Sequence, residues 1–249
     1  MANDSFDGLV VIVTGAASGM GRRAAERFAA SGAAVIACDI ADLTQTHAKI
    51  ESRHLDVTDE PAWEGLVAET LRNHGHLDAL VNCAGVILMA NVVDTKLGDF
   101  RHLMAVNVEG TFLGMKHAMR AMLPRGRGSI VNISSTAGIA GSPGASAYCA
   151  SKGAVRLMTK SVALEAIAAG TRIRVNSLHP GLTDTPMLES IVQQLGGGEQ
   201  IRAQLAAMVP AGRLGAIDEI VDAIMFLVSD RSGFMNGSEM VIDNGFTAQ

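Results

Sequence analysis

Residues 9–39 read LVVIVTGAASGMGRRAAERFAASGAAVIACD. A short β-branched run at residues 9–14 predicts a strand, and the helical period of residues 18–30 predicts a helix. Residues 34–39 form a second apolar run, and Gly32 lies where a glycine commonly ends a helix. Two strands joined through a helix lie parallel in one sheet, so this stretch predicts a βαβ unit.

The same alternation of strand and helix patterns continues to the end of the chain. Further strands are predicted near His54 and at residues 78–82, 129–134, 172–178 and 239–242. Further helices are predicted at residues 41–50, 60–73, 96–122, from about Tyr148 to 168, 189–195, 199–207 and 218–228. This order predicts an α/β fold in which a seven-stranded parallel sheet is covered by helices on both faces.

The composition is typical of one globular domain that binds small molecules. Apolar residues make up 48% of the chain and charged residues 18%, and no linker or repeat interrupts them. The net charge of −5 and the absence of a basic stripe argue against a nucleic-acid partner. No segment approaches the roughly 20 apolar residues of a membrane span, and residues 1–4 lack the pattern of a signal peptide. We therefore expect a cytoplasmic protein with no membrane partner.

Cysteines and histidines give no recognisable metal-ligand set. Cys38, Cys83 and Cys149 are an odd number without a CxxC pair, and their small or apolar neighbours favour buried free thiols. A reactive Cys149 is the less favoured alternative, because an activated thiol needs exposure and cationic surroundings. The seven histidines form no convincing cluster, so we expect no catalytic metal.

The loop between the first strand and the first helix suits a phosphate group. Unpaired backbone N–H groups and the helix dipole favour an anion there. Gly15 permits a tight turn, Gly19 lets a pyrophosphate approach the backbone, and Gly21 allows close packing of helix against strand. An ordinary turn followed by a helix cap is the alternative for such a glycine pattern when its flanking strand and helix are missing.

Asp39 ends the second strand, 18 residues after Gly21. An acidic side chain at this position accepts hydrogen bonds from the ribose diol of a dinucleotide. A 2′-phosphate would face the carboxylate without a compensating cation, since Ile40 follows Asp39. The sequence therefore favours NAD over NADP, with a solvated strand end or a helix cap as the alternative role of Asp39.

Tyr148 is the only tyrosine of the chain, and it precedes Lys152 by four residues. Residues four apart share one face of a helix, and a neighbouring cation stabilises phenolate. Lowering a tyrosine pKa from about 10 to about 7 requires roughly 4 kcal/mol, which a unit charge about 4 Å away supplies at an effective dielectric near 20. One cation is enough in principle, and an oxidised nicotinamide would add a second positive charge, so the pair predicts an acid/base group with a pKa near neutrality.

In order and spacing, these motifs resemble those of the short-chain dehydrogenase/reductase family across essentially the whole chain. The family's TGxxxGxG corresponds to residues 14–21, and its YxxxK corresponds to Tyr148 and Lys152. Further matches are Asp-Val at Asp56 and Val57, NxAG from Asn82 to Gly85, the helix asparagine at Asn107, the catalytic serine at Ser135, and PGxxxT from Pro180 to Thr185. The resemblance implies a single doubly wound, Rossmann-type domain over residues 1–249.

The resemblance also implies hydride transfer at an alcohol or carbonyl carbon by a nicotinamide enzyme. Its catalytic residues would be Asn107, Ser135, Tyr148 and Lys152, with Tyr148 as the acid/base and Ser135 bonded to the reacting oxygen. Ser134 is the rival serine; Ser135 is preferred because its 13-residue separation from Tyr148 is typical of the family. The expected cofactor contacts are Gly15, Ser18, Gly19, Met20, Gly21, Asp39, Asp56, Val57, Asn82, Ala84, Gly85, Tyr148, Lys152, Pro180, Gly181, Thr183 and Thr185.

Three of these polar residues have other possible roles. Asn107 resembles the residue whose backbone holds a water beside the lysine, but an ordinary polar contact inside a helix is the alternative. Asp56 resembles an adenine contact, but it could instead cap a helix starting near Thr58. His179 precedes Pro180, and we expect it to be satisfied structurally, because Tyr148 already fills the acid/base role.

Residues 186–208 occupy the place of the family's variable substrate loop. Residues 196–198 are glycines that could hinge this segment as a lid, and its apolar side chains predict a neutral, fairly hydrophobic secondary alcohol or ketone as substrate. Those side chains are Met187, Leu188, Ile191, Val192, Leu195, Leu205 and Met208. Plain helix packing is the alternative for each of them.

Family resemblance further implies a homotetramer, with the helices of Asn107 and Tyr148 at one contact and the C-terminal strand at another. Two alternatives remain: an NADPH-dependent ketoreductase of the acyl-carrier-protein reductase type, and a catalytically silent NAD-binding regulatory protein. Asp39 opposes the first, and the complete catalytic set opposes the second. The chain departs from the family in a short segment at residues 39–56, where we expect a trimmed helix. It also departs at residues 243–245, where we expect an altered turn at a subunit contact and no effect on the chemistry.

Overall fold

Seven strands form one parallel sheet in the computed structural model, which describes residues 5–44 and 47–248. The strands are β1 (Val10–Thr14), β2 (Ala34–Asp39), β3 (Ile50–His54), β4 (Ala79–Asn82), β5 (Arg127–Ile133), β6 (Arg172–Pro180) and β7 (Glu239–Ile242). Their order across the sheet is β3-β2-β1-β4-β5-β6-β7, and every neighbouring pair is parallel. The predicted doubly wound fold is confirmed.

Eight α-helices accompany these strands in the described residues. They are α1 (Gly19–Ala30), α2 (Glu60–His74), α3 (Leu97–Met104), α4 (Gly110–Met122), α5 (Ser146–Ala168), α6 (Pro186–Gln194), α7 (Glu199–Ala207) and α8 (Ile217–Val228). Local signals explain the bounds of α2: the Asp59 carboxylate accepts a hydrogen bond from the Ala62 N–H at its start, and Gly75, at φ +79°, ends it.

The strand β1 is apolar from Val10 to Val13 because both faces of the sheet are covered. In β1, Val11 and Val13 belong to a core that includes Phe28 of α1 and residues of α8. Ile12, between them, belongs to a second core on the opposite face, which includes Trp63 of α2. Successive side chains of a strand point to opposite faces, so a doubly covered strand reads as a continuous hydrophobic run.

Two predicted helices differ from the structure. The helix predicted at residues 41–50 is wrong over the residues described, which exclude 45 and 46. The Asp39 carboxylate forms a turn by accepting the Ala41 N–H, and the Lys49 carbonyl accepts the Val35 N–H beside β3, which leaves little chain for a helix. The helix predicted at residues 96–122 is interrupted by a π-helical turn, Ala105–Glu109.

In the described part of the chain, no helix combines the length and the apolar character that crossing a bilayer requires. Residues 1–4, on which the signal-peptide prediction rests, lie outside the described residues.

Candidate active site

A cleft of about 530 Å³ opens where the strand order reverses between β1 and β4. Its lining residues follow the carboxyl ends of the strands, where open α/β sheets bind their ligands. All the predicted cofactor contacts line this cleft except Asn82. The predicted catalytic residues Ser135, Tyr148 and Lys152 also line it, whereas Asn107 lies beneath it.

The glycine loop has the shape that a bound pyrophosphate needs. Gly15 and Gly19 have φ angles of +66° and +53°, which favour glycine. A Cβ on Gly15 would lie 2.8 Å from the backbone of Ala84, and one on Gly21 would lie 2.2 Å from the Gly15 carbonyl oxygen. The Ser18 side chain forms no capping hydrogen bond at the start of α1, and the first turn carries no carboxylate. This loop therefore fits the phosphates of a dinucleotide.

Asp39 joins the end of β2 to this loop. One carboxylate oxygen accepts the Ala17 N–H at 2.9 Å, and the other accepts the Ala41 N–H at 3.0 Å. Each carboxylate oxygen has capacity for another hydrogen bond, and Asp39 lines the cleft. The side chain is therefore oriented by the backbone, and it caps no α-helix.

Asp56 and Val57 line the cleft at the end of β3. The Asp56 carboxylate accepts hydrogen bonds from the backbone and the hydroxyl of Thr58, and these bonds lower its pKa. It does not cap α2, because that helix starts at Glu60 and its cap is Asp59.

Asn82 does not line the cleft. Its side-chain amide donates hydrogen bonds to the Asn132 side chain at 2.9 Å and to the Thr111 carbonyl at 3.4 Å. A Cβ on Gly114 of α4 would lie 2.3 Å from the Asn82 Oδ1. The Asn82 side chain therefore packs between β4 and α4, where Gly114 leaves room for it. Only the later residues of its motif, Ala84 and Gly85, reach the cleft.

Tyr148 and Lys152 share the buried face of α5. The Lys152 Nζ donates to the Ile133 carbonyl at 2.9 Å and lies 5.7 Å from the centre of the Tyr148 ring. The Tyr148 hydroxyl lies 3.9 Å from the Met187 Sδ, at the start of α6. The phenol thus lies between the lysine and the predicted lid.

In this structure Lys152 alone does not lower the pKa of Tyr148. Burial raises the pKa of Tyr148 to about 12, although hydrogen bonding with Ser135 opposes the rise. Burial also lowers the pKa of Lys152 to about 8, and the electrostatic interaction with Cys83 opposes this shift. The same desolvation that disfavours phenolate disfavours the ammonium that would stabilise it.

The two candidate serines have different partners. The Ser134 hydroxyl is buried and donates to the Lys152 carbonyl at 2.9 Å. The Ser135 hydroxyl accepts the Ala137 N–H at 3.1 Å, and it is near enough to Tyr148 to lower the pKa of the phenol. Both serines line the cleft, but only Ser135 has this effect on the phenol.

Asn107 lies in the π-helical turn between α3 and α4 and is fully buried. Its side chain exchanges two hydrogen bonds with the Val86 backbone, at 2.8 and 2.9 Å, and donates to Ser151 at 3.0 Å. A Cβ on Gly85 would lie 3.2 Å from the Asn107 Oδ1 and 3.5 Å from the Lys152 Nζ. A side chain at Gly85 would therefore fit tightly against Asn107 and would be in ordinary contact with Lys152.

The end of the cleft next to α6 and α7 is apolar. Of the predicted lid side chains, all but Val192 line it: Met187, Leu188, Ile191, Leu195, Leu205 and Met208. The Gln194 side chain accepts the Met89 N–H at 2.9 Å and so links α6 to the loop after β4. Residues 196–198 all have φ between +79° and +113°, a backbone conformation that explains why these three residues between α6 and α7 are glycines.

Phe246 also lines the cleft, and sequence reasoning did not identify it. It follows Asn244, at φ +51°, in a turn that the Asp243 carboxylate stabilises by accepting hydrogen bonds from Gly245 and Thr247. The expectation that residues 243–245 leave the chemistry untouched stays a prediction, and their turn places Phe246 in the lining of the cleft.

The three cysteines are free thiols in different surroundings. Cys38 is buried, whereas Cys83 and Cys149 are partly exposed. Burial raises the pKa of Cys83, which lines the cleft, to about 11, and it also raises the pKa of Cys38. Among the residues that the structure describes, no three His, Cys, Asp or Glu side chains cluster as metal ligands would.

Comparisons with known proteins agree with this geometry. The family model described as Enoyl-(Acyl carrier protein) reductase matches residues 15–247. The chain is similar to cyclopentanol dehydrogenase of Comamonas sp. (strain NCIMB 9872), at 41% identity over 96% of this chain and 97% of that one. It is also similar to NADP-dependent (R)-specific alcohol dehydrogenase of Lentilactobacillus kefiri, at 37% identity over 99% of each chain. The crystal structure of levodione reductase superposes with a TM-score of 0.92, at 30% identity over 98% of this chain and 99% of that one.

Proposed function

The chain belongs to the short-chain dehydrogenase/reductase family, and on this basis we propose that it is an NAD-dependent oxidoreductase acting on neutral, fairly hydrophobic secondary alcohols and ketones. One observation carries the proposal. A single cleft is lined by the phosphate-binding loop and Asp39, by Ser135, Tyr148 and Lys152, and by an apolar lid.

The residues of the cleft fit a dinucleotide. When bound, such a cofactor supplies the hydride acceptor or donor and, in its oxidised form, a positive charge beside the reacting atoms. The N–H groups at the start of α1 bind the pyrophosphate, Asp39 binds the adenosine ribose, and Lys152 binds the nicotinamide ribose. Asp56 borders the adenine, and Thr183 and Thr185 contact the carboxamide and phosphate.

Preference for NAD rests on the end of β2. The name of the Lentilactobacillus relative specifies NADP, so family membership leaves the choice of nicotinamide open. In this chain the neighbour of Asp39 is Ile40, which is 66% exposed and carries no charge that would neutralise a 2′-phosphate. Repulsion by the Asp39 carboxylate then favours NAD.

Tyr148 transfers the proton that accompanies hydride transfer. With a pKa of about 12 in the structure, its hydroxyl holds the proton at neutral pH and can donate it to a ketone oxygen. Alcohol oxidation requires the phenolate, so a further positive charge beside the hydroxyl must assist the Lys152 ammonium. Ser135 binds the reacting oxygen, and the backbone of Asn107 holds a water beside Lys152 through which the proton reaches solvent.

The substrate class follows from the apolar end of the cleft. The carboxylate and ammonium groups that line the cleft are Asp39, Asp56 and Lys152, and all of them belong to the cofactor or catalytic sets. A charged substrate would therefore lose its hydration at the apolar end without gaining an oppositely charged partner, which disfavours its binding. A neutral cyclic or aliphatic alcohol suits this surface, and the name of the Comamonas relative, cyclopentanol dehydrogenase, supports a cyclic one.

Exposed apolar side chains support assembly as a homotetramer. Phe112 of α4 and Leu157 and Leu164 of α5 are exposed on the helices that the family resemblance places at one subunit contact. Phe234 and Val241 are exposed beside and within β7, at the second contact. Large exposed apolar groups on two faces are typical of protein interfaces.

The alternatives make different predictions in one assay. Purified protein is mixed with NAD or NADP and a panel of cyclic, steroidal and aliphatic secondary alcohols, and the absorbance band of reduced nicotinamide is followed. We expect faster turnover with NAD and with neutral cyclic alcohols. A clear NADP preference would favour the acyl-carrier-protein type of ketoreductase. Binding of NAD without turnover of any alcohol or ketone would favour the silent regulatory protein.

A further inference from the structure

His179 lies directly behind the segment that carries Ser135. It is fully buried on β6, with its Nδ1 3.0 Å from the Ser135 carbonyl oxygen and its Nε2 2.8 Å from the Ser177 hydroxyl. A carbonyl oxygen only accepts hydrogen bonds, so Nδ1 must carry the hydrogen. In the neutral ring, Nε2 then accepts the hydroxyl hydrogen of Ser177. The two partners therefore select one tautomer.

The surroundings favour this neutral ring. Burial lowers the pKa of His179, and the positive charges of Arg156 and Lys152 act in the same direction. The hydrogen bond to the Ser135 carbonyl and the Glu239 carboxylate of β7 oppose them, and that carboxylate is paired with Arg156 and Lys160. A neutral imidazole with one donor and one acceptor matches both of its partners, so both hydrogen bonds form without a charge on the ring.

The hydrogen bond between His179 and Ser135 lies just beyond the last backbone hydrogen bond between β5 and β6. The last ladder bond joins the Ser134 N–H to the Leu178 carbonyl at 2.8 Å. Ser135 then leaves the sheet in an extended conformation, and its carbonyl accepts the Gly138 N–H at 2.9 Å in a short turn. The imidazole supplies the second donor to that carbonyl and ties Ser135 to β6.

From this arrangement we infer that His179 is a positioning residue for the reaction: its Nδ1–H holds the Ser135 peptide group so that the Ser135 hydroxyl faces Tyr148. The inference rests on the proposed function, because it matters for turnover only when Ser135 binds the reacting oxygen. His179 itself lies outside the lining of the cleft and touches neither substrate nor cofactor.

Two amide variants separate positioning from general support of the fold. In His179→Asn the amide nitrogen lies near the place of Nδ1 and can still donate to the Ser135 carbonyl. In His179→Gln the longer side chain places its amide near the position of Nε2, towards Ser177. We expect His179→Gln to lower kcat for cyclopentanol oxidation at saturating NAD by about 10-fold or more, since misplacing a group that stabilises the transition state costs up to about 100-fold. His179→Asn should retain most of the activity, and calorimetry should give both variants the NAD affinity of the parent.

A double-mutant cycle gives the second readout. His179→Leu removes both hydrogen bonds, and we expect it to lower kcat in the parent protein but to have little further effect in a Ser135→Ala background, where the positioned hydroxyl is absent. A loss of stability alone would lower kcat equally in both backgrounds. If His179→Leu does not fold, the comparison of the Asn and Gln variants decides.

Equal kcat values for His179→Asn and His179→Gln would overturn the inference, as would equal effects of His179→Leu in the two backgrounds. Either result could occur while Ser135→Ala still lowers kcat strongly, in which case the proposed function stands without the role of His179. Unchanged turnover in Ser135→Ala would instead refute the part of the proposed function on which the inference depends.

Discussion

The side chains at the end of β2 control the choice of cofactor in this proposal. The carboxylate of Asp39 is held by two backbone N–H groups, and Ile40 beside it is exposed and uncharged. Two unit charges about 4 Å apart repel by about 4 kcal/mol at an effective dielectric near 20. Even half of that energy would separate the two nicotinamide cofactors by more than about 10-fold in affinity.

We expect the double variant Asp39→Ser, Ile40→Arg to raise the ratio of kcat/KM for NADP over that for NAD by about 100-fold, because it exchanges a repelling carboxylate for a guanidinium. Steady-state rates with each cofactor measure this ratio. Asp39→Asn is the matched control, since it removes only the charge and keeps an oxygen for the Ala17 N–H. No change of the ratio in the double variant would show that Asp39 does not set the preference.

The acid/base pair predicts a pH dependence with a definite sign. Alcohol oxidation needs the phenolate of Tyr148, whose pKa is raised to about 12 in the structure, so kcat for oxidation should increase with pH. Lys152→Met should move this increase to higher pH, because a cation near a phenol lowers its pKa. The kcat at saturating NAD, measured as a function of pH, tests the shift. Lys116→Met, which removes a lysine paired with Glu60 on the surface, is the control. The same profile in parent and Lys152→Met would exclude the electrostatic role.

Residue types and spacing predict roles for the glycine loop, Asp39, Ser135 and the acid/base pair, and the structure brings all of them to one cleft. A motif could predict this placement because it assigns each group to the end of a particular strand or to a particular helix. The pKa of Tyr148 could not be predicted in the same way. It depends on how deeply the phenol is buried and on where the Lys152 ammonium finds its hydrogen bond, the Ile133 carbonyl. Asn82 shows the same limit, since its motif did not reveal that the side chain turns towards α4.

Among the elements, α2 contains one glycine, Gly65, and is ended by a second, Gly75, with the opposite structural role. Gly65 is an exposed position inside the helix, and Gly75 ends it with φ +79°; a Cβ at either position would meet no atom within 4 Å. The two positions therefore differ in backbone conformation and not in the space available to a side chain.

Gly65→Ala should raise the free energy of unfolding by about 0.5–1 kcal/mol, because alanine loses less backbone entropy than glycine on entering a helix. Gly75→Ala should lower it by about 1–2 kcal/mol, because alanine is strained in the left-handed conformation. Urea unfolding of both variants measures the difference. Effects of the same sign would contradict the description of the end of α2.

Element types were largely predictable, and the exceptions have physical causes. The stretch at residues 41–50 has a helical pattern. At one end, however, the Ala41 N–H bonds to Asp39 in a turn, and at the other the Lys49 carbonyl bonds to Val35 of the sheet. The interruption at Ala105–Glu109 leaves the apolar period of the surrounding sequence intact, so periodicity cannot reveal it. That π-helical turn carries Asn107, consistent with the frequent occurrence of such turns at functional sites.

For the whole molecule, the sheet order brings distant segments to one cleft. Phe246 reaches the cleft because β7 lies at the edge of the sheet beside β6, and the turn after β7 leads back to the cleft. The alternation of strands and helices predicted the architecture, but the approach of the last residues to the cleft depends on tertiary packing that the local pattern does not encode.

Assembly is the second property of the whole molecule. Leu164→Glu places a charge among the exposed apolar groups of α4 and α5, and we expect it to convert a tetramer into smaller species, because an unpaired charge at an interface is costly. Light scattering after size-exclusion chromatography measures the mass. Val93→Glu is the control, since Val93 is also exposed but lies outside both predicted contacts. A parent protein that is monomeric would contradict the proposed homotetramer.

Replacement of the Tyr148 hydroxyl tests the central claim most directly. In Tyr148→Phe the ring remains in place while the exchangeable proton is removed, and formation of reduced nicotinamide is measured with cyclopentanol at saturating NAD. The account predicts that turnover falls by about 10²–10⁴-fold, the usual contribution of a positioned acid/base group, while the dissociation constant of NAD stays within about 2-fold of the parent. Turnover close to that of the parent, with NAD still bound, would contradict it.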